Sequence, residues 1–424
     1  MRVLFVANPG NSIFLTMVPL AWSLRTAGHE VRFASSPSFT DSITQAGLTA
    51  VPVGRNLKIS RLLKVYNVDT ESLEESRPGL AAPWDVVEDP SKADFDYQFA
   101  AHYEMVKQGH MPENFPMIGG LVEFAKAWRP DLVIWEPFSY AGAIAAKACG
   151  AVHARLLWSI DVFGLTRDLY LKLMAEQPPE RRADPLGEWL GSYGPLYGYE
   201  YTEDMAVGHF TIDQFPASLQ IPAGLHYVPM QHIPYNGVSV VPKWLWEKPA
   251  KPRVGITMGL TATEFFTGYT FNLQDLLDEL ADLDIEVVAT VTEEEQRKLA
   301  RIPDNARLVP FVPLNALVPS CSVVVHHAGP GTFLTAARYP IPQLALGYHF
   351  DEPIFARKLA EQGGALELAP GEASGRAIRE NVLRLLHEPQ FAAGAARLAE
   401  ELRAMPTPNQ LVPQLEELTA KYRP

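Results

Sequence analysis

The sequence predicts an α/β protein made of two doubly wound domains, each a parallel sheet covered by helices on both faces. Short apolar runs alternate with segments of helical periodicity, and this alternation starts afresh after a proline-rich stretch in mid-chain. With 424 residues and 47% hydrophobic content, the chain can bury two cores. We expect a first domain over 1–235, a linker over 236–252 and a second domain over 253–424, whose last helix is a candidate for packing back on the first domain.

The first domain opens with a βαβαβ pattern. Residues 2–7, 30–34 and 48–53 predict strands. Helical spacing over 14–28 predicts a helix whose regular part begins at Pro19, because proline suits a first helical turn. A nicotinamide-binding domain would carry G-x-G-x-x-G after the first strand, and this loop lacks it. Dehydrogenase chemistry is therefore disfavoured.

Residues 55–115 show no sustained periodicity apart from a predicted helix around 95–107. We interpret them as an insertion over the edge of the first domain, acting as a lid, a partner surface or both. A helix over 119–127 is then expected to lead back into the sheet.

Two carboxylates follow the next two predicted strands, 131–135 and 154–158. Glu136 and Asp161 lie just past the strand ends, where open α/β sheets bind their ligands. The helical segment over 165–210 is rich in tyrosine and tryptophan. Core packing explains some of these rings, and the remainder, in particular around 189–201, is a candidate lining for an apolar acceptor cleft.

The second domain repeats the alternation. Strands are predicted at 253–259, 285–290, 307–310, 322–325 and 342–346, and helices at 273–283, 293–299, 353–362, 375–387 and 391–405.

The most informative segment is Ser322–Leu334, SVVVHHAGPGTFL. A short strand, a glycine turn and a helix start follow one another, so unpaired N–H groups and the positive helix end point into the turn. A phosphate is the natural occupant. His326 and His327, directly ahead of the turn, favour this interpretation over a simple helix cap.

Composition limits the partners. A net charge of −13 and a pI near 5.4 argue against nucleic acid or an anionic membrane surface. The first apolar run is too short for a signal peptide or membrane span, which predicts a cytoplasmic protein. No metal site is predicted, because the histidines are scattered and Asp282-Leu283-Asp284 falls between a helix and a strand.

Several segments resemble a known family over nearly the whole chain. They are VPLAW at 18–22, AGHEV at 27–31, WRPDLVIWEP at 128–137, HARLLW at 153–158, YNG at 235–237 and HHAGPGT at 326–332. The chain resembles the GT-B nucleotide-sugar glycosyltransferases of natural-product pathways, and among them the activator-dependent deoxysugar transferases that decorate macrolides and aromatic polyketides.

The resemblance implies a dTDP-deoxysugar donor held mainly by the C-terminal half and an apolar polyketide acceptor held by the N-terminal half. His327 and the amides of Gly329, Gly331 and Thr332 would hold the pyrophosphate, with Thr257 and Thr261 on a second phosphate-facing loop. The backbone near Val312 would receive the thymine. Asp351 and Glu352 would bind the sugar hydroxyls, at positions where the family often has Asp-Gln. The equally weighted alternative is that the two acids are a charge pair at a helix N-terminus, where the helix dipole favours them.

The implied reaction is inverting transfer, in which a general base deprotonates the acceptor hydroxyl. Many relatives carry a histidine base in the loop after the first strand, and Ile13 stands in that place here. Glu136, ranked first, and Asp161 are the replacement candidates, unless they are capped or ion-paired loop residues. Loss of the histidine favours an aromatic polyketide over a macrolide, since a phenol needs a weaker base; carbon glycosylation stays open.

Ile13 also motivates an alternative, a catalytically silent GT-B protein that binds or activates another transferase. A GT-B sugar epimerase is disfavoured by the aromatic segment. The resemblance further implies a helper resembling cytochrome P450 that docks on 55–115, and it leaves a homodimer open. No cofactor is implied beyond the donor substrate.

Overall fold

The computed structural model describes residues 1–56, 78–259, 271–369 and 371–423. Two parallel sheets form separate halves. In the described residues the first has seven strands in the order β3-β2-β1-β4-β5-β6-β7 and the second has six in the order β10-β9-β8-β11-β12-β13. Every adjacent pair is parallel. Both orders are doubly wound, as expected.

The first half contains strands β1 Arg2–Val6, β2 Glu30–Ser35, β3 Ala50–Pro52, β4 Leu132–Trp135, β5 Val152–Leu156, β6 Phe210–Asp213 and β7 Tyr227–Pro229. Its helices are α1 Asn11–Thr26, α2 Thr40–Gln45, α3 Phe95–Glu104, α4 Met111–Trp128, α5 Ala141–Cys149, α6 Val162–Ala175, α7 Pro185–Gly191, α8 Gly194–Tyr197 and α9 Asp204–Val207.

The second half contains strands β8 Arg253–Thr257, β9 Glu286–Thr290, β10 Ala306–Val309, β11 Val323–His326, β12 Gln343–Ala345 and β13 Ala365–Glu367. Its helices are α10 Leu273–Leu280, α11 Glu293–Arg297, α12 Leu314–Leu317, α13 Pro330–Ala337, α14 Glu352–Glu361, α15 Gly375–His387, α16 Pro389–Ala404 and α17 Pro408–Tyr422.

The last helix, α17, packs on the first sheet rather than the second. Its buried Leu411, Leu415 and Leu418 belong to the same apolar cluster as Val3 and Phe5 of β1. A side chain such as Leu415 stabilises this packing by about 1.5–3 kcal/mol. The C-terminal end of the chain thereby joins the two halves.

Pro19 does not begin the first helix, contrary to the sequence prediction. Helix α1 starts at Asn11 and contains Pro19 in its interior, where Ser23 Oγ donates to the Pro19 carbonyl at 2.8 Å. The proline costs about 3 kcal/mol through its missing N–H. Phe14 and Met17 before it and Leu24 after it all bury completely in the core, and burial of these side chains offsets that cost.

The predicted insertion is more helical than expected. Helix α3 runs through a π-helical segment, Met105–His110, directly into α4, so the helix predicted at 119–127 begins at Met111. Residues 57–77 of the insertion lie outside the described residues. Strands β6, β7 and β13 were missed, because three or four residues are too few to show a period. Within the described residues, no helix has the length and apolarity needed to cross a bilayer.

Candidate active site

The candidate site lies where the strand order of each sheet reverses. In the first half the reversal falls between β1 and β4, so the loop after Val6 meets the loop after Trp135. In the second it falls between β8 and β11, which brings the end of β8 beside His326. Such switch points form crevices at the carboxyl ends of the strands.

The two histidines of the glycine turn have different environments. His326 is fully buried; its Nδ1 accepts from the Ala328 amide at 2.9 Å and its Nε2 lies 2.8 Å from Gln343 Oε1, so this ring is structural. His327 Nδ1 is buried with no hydrogen-bond partner among the described residues. Burial lowers the pKa of His327 to about 4, so its ring is neutral at pH 7.

Glycine is required on both sides of the His327 ring. A Cβ on Gly329 would lie 2.2 Å from His327 Nε2, and a Cβ on Gly259 would lie 2.7 Å from His327 Cε1. Ala328 takes the left-handed conformation, with φ of 63°, to complete the turn. Gly259 and Gly329 therefore leave just enough space for the His327 imidazole beside the turn.

The turn then opens α13 with Pro330 in its first helical position. The Thr332 amide donates to the Gly329 carbonyl at 2.9 Å, whereas the amides of Gly329 and Gly331 have no backbone acceptor in the part of the chain described. These two N–H groups, of the three predicted, stay available to an anion at the helix N-terminus.

Two of the remaining three residues predicted to bind the donor, Thr257 and Val312, are among the described residues. Thr257 ends β8 and pairs in register with His326. Val312 follows β10, and its side chain is buried in a small cluster with Leu317. Its backbone groups are therefore the ones that would contact the thymine. Thr261 lies outside the described residues.

Asp351 and Glu352 make different contacts. Glu352 Oε2 accepts from the amides of Tyr348 and His349 at 3.1 and 2.8 Å, and its Oε1 is 3.9 Å from His327 Nε2. Asp351 makes no helix-capping bond; its Oδ2 accepts from Ser159 Oγ of the other half at 2.5 Å. Burial raises the pKa of Asp351 to about 8.

Glu136 is fully buried within a shell of donors. Oε1 accepts from the Asn8 amide at 3.5 Å and Ser139 Oγ at 2.5 Å, and Oε2 accepts from the Phe138 amide and Trp158 Nε1, both at 3.0 Å. Burial raises the pKa of Glu136 and these bonds oppose the rise. The carboxylate joins the loops that follow β1, β4 and β5.

Asp161 is also fully buried and caps α6. Its Oδ1 accepts from the Gly164 amide at 2.9 Å, and its Oδ2 accepts from Arg155 Nη2 at 2.6 Å and from the Tyr227 hydroxyl at 2.7 Å. Asp161 is therefore a loop carboxylate that lies beneath the site in an ion pair with Arg155.

Glu113, in the first turn of α4, was missed because the sequence predicts the helix to begin later. The side chain of Asn114 ties this turn to the Glu136 loop, donating to the Phe138 carbonyl at 2.8 Å and accepting from the Ala141 amide at 2.8 Å. Glu113 is half-buried and has no hydrogen-bond donor among the described residues. Burial, followed by the charge of Glu136, raises its pKa to about 7.

A cluster of five aromatic rings, here called the aromatic box, spans both halves. It consists of Trp84, Phe138, Trp158, Phe163 and Phe350. Sequence reasoning singled out 189–201 instead, but those rings pack into the core beside α4 and α5. Phe138 and Phe350 follow predicted strands, as Glu136 does, whereas Trp158 falls inside the strand predicted over 154–158.

Beneath the box lies a small cavity of about 30 Å³, bordered by Trp84, His110, Tyr140 and Phe163. On the far side of the sheet, His153, Asp204 and His209 form a cluster at the amino ends of β5 and β6. The Lys147 ammonium lies 2.8 Å from Asp204 Oδ2 and already supplies a positive charge there.

Comparison with known proteins gives matches along the whole chain. Residues 22–259 match the family described as erythromycin biosynthesis protein CIII-like, N-terminal domain, and 274–418 match the corresponding C-terminal domain. The full chain is 44% identical to 10-deoxymethynolide desosaminyltransferase of Streptomyces venezuelae, of which it covers 98%. It is 42% identical to aclacinomycin-T 2-deoxy-L-fucose transferase of Streptomyces galilaeus, of which it covers 97%. The solved structure of glycosyltransferase VinC with dTDP has a TM-score of 0.87 at 36% identity, covering 99% of this chain and 100% of that one.

Proposed function

Because the chain belongs to the EryCIII-like family of glycosyltransferases, with the GT-B arrangement of two α/β halves, we propose that it moves a deoxysugar from a dTDP-sugar to a hydroxyl of a polyketide aglycone. The observation that carries this proposal is the glycine turn at the second switch point. There the buried Nδ1 of His327 has no partner among the described residues, and the amides of Gly329 and Gly331 have no backbone acceptor among them, next to the N-terminus of α13.

The donor pyrophosphate would lie in this turn. His327 and the amides of Gly329 and Gly331 would donate to it, with Thr257 and Thr261 beside it and Val312 under the thymine. Since His327 is neutral at pH 7, dipoles rather than a cation would stabilise the charge that develops on departing dTDP. We expect no metal requirement, so a chelator should leave the rate unchanged.

The transfer would invert the anomeric centre. The acceptor oxygen loses a proton to a base, forms the new bond to the anomeric carbon, and the carbon–oxygen bond to dTDP breaks with its electron pair. Glu136 and Asp161, the residues chosen from the sequence, each accept three or more hydrogen bonds. No described residue donates a hydrogen bond to Glu113, and we therefore propose it as the base, with Glu136 positioning the loops around it.

Product analysis tests the function directly. The purified chain is incubated with a panel of dTDP-deoxysugars and polyketide aglycones, and dTDP release, product mass and anomeric linkage are measured. Glycosylated product with inverted linkage is expected. Binding of dTDP without its release from any donor would instead favour the silent binding or activating subunit that Ile13 suggests.

The acceptor class is a finer proposal. The preference for an aromatic polyketide rests on Ile13, which leaves the usual histidine position without a base. Relatives of nearly equal identity are named for 10-deoxymethynolide and for aclacinomycin-T, so both acceptor types belong in the panel. A higher kcat/KM with phenolic acceptors than with macrolactones is the expected result.

We also propose a helper protein resembling cytochrome P450 that docks on residues 55–115. The described part of this region exposes Tyr103 and Phe115, which are 45% and 71% accessible. Adding the helper should raise turnover of the purified chain at least tenfold. Full activity without it, unchanged on addition, would overturn this proposal and leave the transferase function in place.

A further inference from the structure

The loop that follows β12, residues 346–351 and here called the β12 loop, contains a residue in an unfavourable backbone conformation. Phe350 has a φ of 50°, in the left-handed region that disfavours residues with a Cβ. Such a conformation persists only where the surrounding contacts enforce it. The loop starts beside the glycine turn, because the Leu346 amide donates to the His326 carbonyl at 2.8 Å. The contacts that hold Phe350 therefore affect the geometry next to the turn.

Glu352, the first residue of α14, connects the β12 loop to the turn. Its Oε2 accepts from the amides of Tyr348 and His349 at 3.1 and 2.8 Å. Its Oε1 is 3.9 Å from His327 Nε2. Because one carboxylate makes both sets of contacts, a shift of the loop backbone would move this carboxylate relative to the His327 imidazole.

Contacts from the first half hold the β12 loop. They come from residues 78–92 of the insertion, here called the strap. The Gly79 amide donates to the Tyr348 carbonyl at 2.8 Å, and Gly79 also forms a β-bridge with His349. The Trp84 ring meets the Phe350 ring edge-on, with 5.6 Å between the centroids. Backbone and ring contacts of the strap thus act on the residues that lead into the left-handed position and on Phe350 itself.

An ion pair joins the strap to α14. Glu88 Oε1 accepts from Arg357 Nη2 at 2.7 Å, and Glu88 Oε2 accepts from the Leu80 amide, near the start of the strap, at 3.5 Å. Asp85 attaches the strap to its own half, because its Oδ2 accepts from the Tyr97 hydroxyl of α3 at 2.5 Å. Both partners of the ion pair are partly exposed, so they can be replaced without opening the core.

We propose that the strap positions the donor site from the opposite half, and that Glu88 is a positioning residue for dTDP binding. The inference rests on the proposed function, which places the pyrophosphate at His327. While the strap is attached, Phe350 stays left-handed and Glu352 stays next to His327. When the Glu88–Arg357 pair breaks, Phe350 relaxes to a negative φ, the loop amides shift, and dTDP binds more weakly.

Reversal of the ion pair tests this role by calorimetric titration of the full chain with dTDP. Glu88→Arg places two cations against each other and should weaken dTDP binding by about threefold or more. A long-range effect of charge has the opposite sign, because an added cation favours an anionic ligand. Arg357→Glu should weaken binding to a similar extent. The double variant Glu88→Arg/Arg357→Glu restores the pair in reverse and should bind dTDP within about twofold of the wild-type affinity.

Gly79→Ala tests the strap without a change of charge. Gly79 has a φ of 66°, and a Cβ there would lie 3.2 Å from Glu88 Oε2, so this variant should also weaken dTDP binding. Arg376→Glu is the matched control, because it makes the same charge change as Arg357→Glu in an exposed ion pair with Glu380 inside α15. It should leave the affinity unchanged.

The results separate this inference from the proposed function. Wild-type or tighter dTDP binding in Glu88→Arg, or no recovery of affinity in the double variant, would overturn the role of the strap and leave the transferase function in place. An equal loss of affinity in Arg376→Glu and Arg357→Glu would also overturn it. Failure of the wild-type chain to bind dTDP would overturn the proposed function itself.

Discussion

Replacing Glu113 with glutamine should stop catalysis and stabilise the fold at the same time. The substitution keeps the shape of the side chain and removes its charge. A general base contributes about 10²–10⁴-fold to rate, so kcat should fall by at least 100-fold. Such a pair of effects is expected only where a destabilising group is retained for its chemistry.

The stability gain follows from the pKa of Glu113. Burial raises it from 4.5 to about 7, so the folded state binds more protons than the unfolded state between these values and stability falls as pH rises through them. At pH 8 the ionised group costs about 3 kcal/mol, at about 1.4 kcal/mol per pKa unit. Glu113→Gln should therefore raise the melting temperature at pH 8, and by much less at pH 5.

The rate has the opposite dependence on pH, because the base acts when deprotonated. About half of Glu113 is ionised at pH 7 and about 1% at pH 5, so kcat should fall roughly 50-fold over that interval. Initial rates of dTDP release and thermal unfolding at each pH measure both effects. Glu123→Gln, an exposed residue of the same helix, should change neither. A wild-type pH profile in Glu113→Gln would refute the assignment.

Two other substitutions test the donor turn and the last helix. Gly329→Ala places a Cβ 2.2 Å from His327 Nε2 and should weaken dTDP binding by about 10–100-fold. Gly331→Ala is the control, because its Cβ meets no atom within 4 Å, and it should weaken binding far less. Titration of both variants with dTDP measures the difference. Leu415→Ala should destabilise the first half by about 2–5 kcal/mol, as measured by urea unfolding. Glu417→Ala, at an exposed position of the same helix, should leave the urea unfolding midpoint unchanged. Equal effects of the two substitutions would contradict the packing of α17 on the first sheet.

The sequence predicts the backbone framework well because parallel strands buried on both faces are continuous apolar runs. The same pattern selected Glu136 and His327 as residues that follow strands, whereas the family resemblance selected Asp351. The hydrogen-bond and ion-pair partners of each carboxylate could not be predicted from the sequence. The donors to Glu136 come from the loops after three different strands, which only the assembled sheet brings together.

The sequence does not show which carboxylates the fold leaves without hydrogen-bond donors. Glu113 is an ordinary glutamate of a helix until the fold buries part of it and leaves it with no hydrogen-bond donor among the described residues. Asp351 has the same sequence context as any helix N-cap, yet its side chain turns away from the helix to the opposite half. Position along the chain separates carboxylates by secondary structure, whereas the ability of a carboxylate to accept a proton depends on the hydrogen bonds and charges that the folded protein gives it. Glu136 and Asp161 each accept three or more hydrogen bonds, whereas no described residue donates one to Glu113.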